Sequence, residues 1–355
     1  MSAAPALEPL PYDRDDAARL VGSEWADVVR SAYRWMRLGR ALDARMQALQ
    51  RQGRVGFYGA ATGQEAVNVA AGLLTSPDDW ILPGLREQLI ALVRGHSLET
   101  YAHHLFADDR DPGRGRNMPC HPTAREVHYV SMSSVIGTQI PHAVGLAYAL
   151  RQRSARGVAV AFFGDGATSA NDFHAGLNFA AVYRLPVVFC CADNQWAISV
   201  PVSRQTAAPT LASKAAEYGF SGSRIDGTDF FATYTALKDA LEGARSGRGP
   251  VLLEFLLYRM TPHSSSDDPG RYQPADWAAR AAAHDPVDRL EEWIRRHDLI
   301  AAAELQAIHE EMDARVRAAI EVAEGTPPPV PASLTEDVYS SPHSTSMGRP
   351  ADGGE

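Results

Sequence analysis

The clearest pattern in the chain is a pair of short, uninterrupted apolar runs, at 158–163 and 186–191. Runs of this kind are typical of strands that are buried on both faces of a parallel sheet. The segment between them, 168–183, lacks proline and repeats apolar residues every three to four positions, which predicts a helix lying on the sheet. Together the three segments predict one strand–helix–strand unit with parallel strands.

Other stretches extend this unit into a domain. A third apolar run, 251–260, predicts another buried strand, and 66–74 predicts a helix, as does the segment that starts near residue 139. We interpret 23–50 as a scaffold helix pair and 286–324 as amphipathic helices that cover the carboxyl-terminal side. The sequence therefore predicts an α/β fold: a doubly wound, mostly parallel sheet with helices on both faces and helical additions at both ends.

Composition along the chain suggests three divisions. Residues 1–22 are polar and contain proline, so we expect an arm that orders only against another surface. Residues 23–325 hold the α/β domain and its carboxyl-terminal helices, with a loop-rich connection at 199–227. Residues 326–355 begin with a proline-rich linker and continue into a tail of low apolar content, which we expect to be disordered.

Charge and composition narrow the class of protein. The chain has 355 residues, 45% of them hydrophobic and 22% charged, as expected for a globular protein. Its formal charge of −9 provides no basic excess for nucleic acid, and no apolar run is long enough for a membrane span. The amino-terminal residues do not resemble a secretory or transit peptide, so we expect a cytoplasmic location. We interpret Cys120, Cys190 and Cys191 as buried thiols.

Polar residues follow two of the predicted strands. Gly164, Asp165 and Gly166 leave the first strand, and Asp193 and Asn194 leave the second. Because parallel strands end at the same edge of a sheet, we expect a carboxylate and an amide oxygen to meet there. Magnesium prefers such oxygen ligands, while the glycines and the next helix can approach a phosphate. An isolated Gly-Asp-Gly is more often a turn, but the whole combination predicts a metal diphosphate site.

Other candidates depend more on context. Phe57 and Tyr58, in a glycine-rich loop, can either line an apolar substrate pocket or plug the core, and chemistry alone rates the two equally. Arg86 is ordinary surface unless a phosphate lies nearby. Arg259 and His263 follow the third strand, so His263 is the best acid–base or phosphate candidate in that half of the chain.

A serine pair precedes the helix that starts near residue 139. The hydroxyls of Ser133 and Ser134, with free loop carbonyls, suit the polar edge of a heterocycle or a monovalent ion. Helix capping is the simpler alternative.

The combination of buried strand, Gly-Asp-Gly, helix, buried strand and Asn resembles the thiamine diphosphate signature. Further motifs are RQGRVGFY, GRGRNMPCH, SSVIGTQIPHAVG, FFGDGATS, HAGLNFAA, NQWAIS and YRMTPHSSSDD. With them, the chain resembles, from about residue 30 to residue 339, the α subunit of the thiamine-dependent decarboxylase component of 2-oxo acid dehydrogenase complexes. The forms PHSSSDD and SSVIGTQIP are more similar to branched-chain members than to pyruvate members.

This resemblance implies a set of site residues in four groups. The implied Mg²⁺ ligands are Asp165, Asn194 and the Trp196 carbonyl. The implied cofactor contacts are Arg86, Ser134, Ile136, Gly164, Gly166, Ala167, Arg259 and His263, of which His263 is also the catalytic candidate. The implied potassium ligands are Ser133, Val135, Thr138 and Gln139. The implied substrate contacts are Phe57 and Tyr58.

The resemblance also implies an activity and partners. The expected function is that of a branched-chain 2-oxo acid dehydrogenase (3-methyl-2-oxobutanoate dehydrogenase) α subunit, which decarboxylates a 2-oxo acid and passes the acyl group to a lipoyl group of a dihydrolipoyl acyltransferase core. In this family a separate β subunit supplies the carboxylate that faces the aminopyrimidine ring, so we expect activity only in a heterotetramer of two α and two β chains.

Three alternatives remain open: a pyruvate or acetoin dehydrogenase α subunit, a non-catalytic cofactor-binding subunit, and a magnesium-dependent phosphotransferase. The absence of a Gly-Lys-Ser/Thr loop disfavours the last.

Leu85 stands where relatives have Tyr, and Ala192 where branched-chain relatives have Arg, so two phosphate contacts are missing. Asp193 replaces the usual Asn. None of these changes touches a predicted metal ligand, so we expect cofactor binding to survive. Ser264 matches a position that is phosphorylated in some relatives.

Overall fold

A computed structural model describes residues 6–264 and 266–336 of the chain. Its strands are β1 (Trp80–Leu82), β2 (Ala159–Gly164), β3 (Val187–Asp193), β4 (Trp196–Ala197), β5 (Val200–Pro201), β6 (Gly222–Asp226) and β7 (Val251–Leu256). Five of them form one parallel sheet in the order β1-β2-β3-β7-β6, while β4 and β5 form a short antiparallel hairpin.

The helices surround this sheet. They are α1 (Arg14–Val21), α2 (Trp25–Arg51), α3 (Glu65–Leu74), α4 (Gln88–Val93), α5 (Leu98–Phe106), α6 (Gln139–Gln152), α7 (Asn171–Val182), α8 (Phe230–Arg245), α9 (Trp277–Ala283), α10 (Pro286–Arg296) and α11 (Ala302–Glu324). Short 3₁₀ turns include Asp165–Ser169, Val202–Arg204 and Ala212–Tyr218.

Successive residues of the central strands enter two different hydrophobic cores. Phe162 and Cys190 pack with α3 and α8 on one face of the sheet. Phe163 and Phe189 pack with α6 and α7 on the other face. Because side chains alternate along a strand, a strand covered on both sides must be apolar throughout. The predicted α/β fold with helices on both faces is confirmed.

The central strand–helix–strand unit is present, with small shifts at its ends. Helix α7 begins at Asn171 because Asp165–Ser169 first forms a 3₁₀ turn. The strand predicted at 251–260 ends at Leu256. The helix pair predicted at 23–50 is wrong: α2 is one helix of 27 residues, with buried side chains from Val29 to Leu49.

The sheet also contains two edge strands that the apolar pattern does not indicate. Strand β1 has only three residues. Strand β6 lies within the connection 199–227 that we expected to be loop-rich, and most of its residues are exposed, so no apolar run marks it.

The amino-terminal segment packs against its own chain rather than another surface. Leu10 is buried, the backbone N–H of Glu8 donates to the carbonyl of Ala283 at 2.8 Å, and the indole of Trp293 donates to the carbonyl of Tyr12 at 2.8 Å. The tail expected to be disordered lies largely outside the described residues, and the three divisions of the chain stay a prediction. Within 6–264 and 266–336, no helix is long and apolar enough to cross a membrane.

Candidate active site

A cavity of about 520 Å³ lies at the carboxyl edge of the sheet. It is bounded by the residues that follow β2 and β3, by the loops before α4 and α6, and by the loop after β7. Most of the predicted site residues line it, namely Phe57, Arg86, Ser133, Ser134, Ile136, Gln139, Gly164, Asp165, Gly166, Ala167, Asn194, Trp196 and His263. The fold therefore brings together residues from the whole length of the domain.

Four predicted site residues do not line the cavity. Tyr58 is buried, and its hydroxyl donates to Asp43 Oδ1 at 2.7 Å, so it occupies the core position that we left as the alternative to a substrate contact. Val135 is exposed, and Thr138 precedes the first turn of α6. Arg259 is buried beside the cavity.

The predicted metal ligands meet at the end of β2 and β3. Gly164 pairs with Ala192 across the two strands, so Asp165 and Asn194 emerge at the same edge. Asp165 is 1% exposed, and its Oδ2 accepts a hydrogen bond from Gln205 Nε2 at 2.5 Å. Burial raises the pKa of Asp165 to about 6. The Trp196 carbonyl accepts from Arg259 Nη1 at 3.3 Å.

The hairpin that carries Trp196 packs closely on the turn after β2. A Cβ built on Gly166 would lie 2.8 Å from the Cβ of Ala197, so only glycine fits at position 166 without a shift of the hairpin. The backbone that follows Asp165 thus stays within reach of a ligand in the cavity.

Two buried guanidinium groups provide positive charge around this edge. Arg86 Nη2 donates to the carbonyl of His263 at 2.9 Å and lies 3.4 Å from His263 Nδ1. Arg259, which is 2% exposed, lies 3.8 Å from Asp267. Burial, and then the charges of Arg86 and Arg259, lower the pKa of His263 to about 4, so its imidazole is neutral near pH 7.

Several buried polar atoms around the cavity have no hydrogen-bond partner among the described residues. They are Gln139 Oε1, Trp196 Nε1, Gln205 Oε1, Arg259 Nε and Thr261 Oγ1. Buried polar groups are rarely left without a partner, and a charged donor such as Arg259 Nε is especially costly to leave so. They include both donors and acceptors, so their concentration here indicates that the cavity is built for a polar ligand.

Comparison with known proteins agrees with this geometry. The family model described as dehydrogenase E1 component matches residues 33–332. The chain belongs to the dehydrogenase E1 component family. Membership of this family implies thiamine diphosphate as the cofactor.

Curated relatives include branched-chain enzymes. The chain is 37% identical over 330 residues to the 2-oxoisovalerate dehydrogenase subunit alpha of Bacillus subtilis, covering 92% of this chain and 99% of the relative. It is 40% identical over 295 residues to the 3-methyl-2-oxobutanoate dehydrogenase subunit alpha of Mycobacterium tuberculosis, covering 82% of this chain and 76% of the relative.

A plant relative is longer. The chain is 38% identical over 311 residues to the mitochondrial 2-oxoisovalerate dehydrogenase subunit alpha 1 of Arabidopsis thaliana, covering 86% of this chain. It spans 65% of the length of that relative.

In this E1 chain, sequence reasoning missed a histidine that contacts a predicted cofactor residue. His121 lines the cavity, and its Nε2 is hydrogen-bonded to Ser134 Oγ. Its Nδ1 lies 2.9 Å from the carbonyl of Pro119, which can only accept. The contact with this carbonyl requires a proton on Nδ1, and in the Nδ1–H tautomer the Ser134 hydroxyl donates to Nε2. His121 stands within the motif GRGRNMPCH, but no separate signal distinguished it.

Two buried carboxyl groups near the E1 cavity were given no role by the sequence reasoning. Glu87 lines the cavity and is buried, which raises its pKa to about 7. Asp193 is buried beside Glu254, and burial together with the charges of Asp165 and Glu254 raises its pKa. Arg224 bridges this pair, with Nε 2.9 Å from Glu254 Oε1 and Nη2 3.4 Å from Asp193 Oδ2. The guanidinium of Arg224 thus lies against both buried carboxyl groups.

Proposed function

We propose that this chain is the α subunit of a thiamine diphosphate-dependent branched-chain 2-oxo acid dehydrogenase that acts together with a β subunit. One observation carries the proposal. The Asp165 carboxylate, the Asn194 amide and the hydrogen-bonded Arg86–His263 pair surround a single cavity, in a chain of the E1 family.

The residues around the cavity fit a magnesium diphosphate. Asp165, Asn194 and the Trp196 carbonyl offer the hard oxygen ligands that Mg²⁺ prefers. Arg86 and Arg259 offer cationic donors for the diphosphate, with backbone groups at Gly164, Gly166 and Ala167. The unpartnered Arg259 Nε supports this assignment. When bound, thiamine diphosphate supplies the electron sink for loss of carbon dioxide from a 2-oxo acid.

The neutral imidazole of His263 carries its proton on a defined ring nitrogen. Because the guanidinium of Arg86 can only donate, Nδ1 of His263 acts as the acceptor and Nε2 carries the proton. His263 therefore offers an N–H at Nε2 to a diphosphate oxygen or to a reacting group. A proton held at that atom suits a catalytic role beside the reacting carbon.

An apolar part of the cavity suits the acyl chain of the substrate. Phe57, Leu85 and Met118 are among the apolar residues that line the cavity, whereas Tyr58 faces the core. Such a lining favours a branched aliphatic 2-oxo acid over pyruvate, because burying extra methyl groups against apolar side chains stabilises the bound substrate.

The remaining roles are carried over from the family resemblance. A β chain in a heterotetramer with two copies of each chain would cover the exposed rim at Val135, Ile136 and Ile198. A dihydrolipoyl acyltransferase core would receive the acyl group. A potassium ion would lie at the loop before α6, with ligands Ser133, Val135, Thr138 and Gln139. The expected compartment is the cytoplasm.

The test is a comparison of substrates. The chain is co-expressed with its β chain, and decarboxylation of 3-methyl-2-oxobutanoate and of pyruvate is measured with thiamine diphosphate and magnesium. Faster turnover of the branched acid supports the proposal. Preference for pyruvate would assign the chain to a pyruvate dehydrogenase, and turnover of neither acid would favour a non-catalytic binding subunit.

A further inference from the structure

Gln205 is the side chain that fixes the carboxylate of the proposed metal ligand Asp165. Its Nε2 donates to Asp165 Oδ2 at 2.5 Å and also to the carbonyl of Val200 at 3.0 Å. The residue lies 40 positions after Asp165, directly behind the 3₁₀ turn Val202–Arg204. One amide thus connects the carboxylate to the β4–β5 hairpin.

We propose that Gln205 is a positioning residue that orients Asp165 for a hard divalent cation, an inference that rests on the proposed function. A neutral amide occupies one carboxylate oxygen but leaves the full negative charge, and Oδ1, for the cation. A lysine or arginine in its place would compete with the metal for the same charge. Carboxylates that bind metals are commonly held by a neighbouring hydrogen-bond donor in this way.

The location of Gln205 connects two metal ligands that come from different strands. Asp165 follows β2, whereas the Trp196 carbonyl belongs to the hairpin that follows β3. Trp196 pairs with Pro201 in that hairpin, and the N–H of Val202 donates to the carbonyl of Gln195 at 3.2 Å. Gln205 therefore fixes the distance between the carboxylate and the loop that carries the third ligand.

The second amide atom of Gln205 supports the same role. Gln205 Oε1 is buried and has no hydrogen-bond partner among the described residues. A buried amide oxygen next to a carboxylate is an acceptor that a further polar group in the site would satisfy. If Gln205 served only to hold the hairpin in place, its Nε2 would be sufficient.

The experiment measures magnesium affinity in the complex with the β chain. Magnesium is titrated by calorimetry into metal-free complex that contains excess thiamine diphosphate. Gln205→Met and the shorter amide Gln205→Asn, which cannot reach Asp165, are each expected to weaken magnesium binding roughly 10- to 100-fold. The metal-free variant complexes should melt at a somewhat lower temperature because two hydrogen bonds are lost, but they should be folded at the temperature of the titration, and cofactor binding should recover at high magnesium.

Thr206→Val is the matched control, because it removes a different hydrogen bond of the same loop. The Thr206 hydroxyl accepts from the N–H of Ala208 at 3.1 Å and does not contact Asp165. Its magnesium affinity should remain that of wild type. Unchanged affinity in both Gln205 variants, or an equal loss in Thr206→Val, would overturn the inference. If cofactor binding to the wild-type complex did not depend on magnesium, the proposed function would be overturned as well.

Discussion

Arg86 and His263 lie 177 residues apart in the chain, and the guanidinium of the first donates to the carbonyl of the second at 2.9 Å. The contact joins the loop before α4 to the loop after β7 at the edge of the cavity. It also sets two basic groups side by side, so a second positive charge on the imidazole would be unfavourable. Burial, and then the charges of Arg86 and Arg259, thus keep this cavity-lining histidine in its neutral form.

The lowered pKa of His263, caused first by burial and then by the charges of Arg86 and Arg259, gives the cofactor-free protein a pH-dependent stability. The pKa of His263 falls from 6.5 to about 4 on folding, so between these values the unfolded chain binds a proton that the folded chain does not. Stability is therefore full above pH 6.5 and is lost as the pH falls toward 4. Urea unfolding at pH 7.5 and pH 5 should show a larger drop for wild type than for His263→Gln, by roughly 1 kcal/mol after allowance for partial exposure. Equal drops in the two proteins would contradict this.

Neighbouring aromatics at 57 and 58 should respond differently to substitution. Tyr58→Phe leaves the buried Asp43 with one hydroxyl donor, Thr62, at 2.7 Å, and should lower stability by about 1 to 3 kcal/mol with little change in substrate KM. Phe57→Ala should instead raise KM for the branched acid, because Phe57 lines the cavity. Denaturant unfolding and steady-state kinetics on both variants separate the two roles. A KM effect in Tyr58→Phe without a loss of stability would refute the assignment.

Two glycines beside Asp165 form a matched pair for a test of packing. A Cβ at Gly166 would lie 2.8 Å from the Cβ of Ala197, whereas a Cβ at Gly164 would meet no atom within 4 Å. Gly166→Ala should therefore destabilise the cofactor-free protein by about 1 to 3 kcal/mol by displacing the hairpin. Gly164→Ala should be close to wild type in the same thermal unfolding experiment. Similar melting temperatures for the two variants would show that the hairpin can shift to accommodate the extra methyl group without a loss of stability.

The elements that the sequence predicted well share one physical property. Strands β2 and β3 are covered on both faces, so their apolar runs are unbroken and easily recognised. Strand β6 lies at an edge with exposed side chains, and nothing in its composition separates it from a loop. The helix pair predicted at 23–50 failed because a single stripe of buried residues does not reveal whether the backbone is interrupted.

The site shows the same division between local and long-range information. The Gly-Asp-Gly turn and Asn194 could be placed at one edge because they directly follow parallel strands. Gln205 could not be connected to Asp165, since that contact depends on how the hairpin folds back over the turn. Phe57 and Tyr58 are adjacent, and only the fold decides which one faces the cavity.

Glu87 should cause a pH dependence of the opposite sign to that of His263. Its side chain is buried at the cavity wall, where burial raises its pKa from 4.5 to about 7, while Oε2 accepts from the N–H of Arg86 at 3.1 Å. Between pH 4.5 and pH 7 the folded chain keeps a proton that the unfolded chain releases, so this group lowers stability as the pH rises through that window.

Glu87→Gln keeps an acceptor for the Arg86 N–H and removes the titration. The variant should match wild type near pH 4.5 and exceed it at pH 8, by up to about 3 kcal/mol. Urea unfolding of both cofactor-free proteins across this range measures the difference, and a constant difference at every pH would rule out a protonated Glu87 in the folded state.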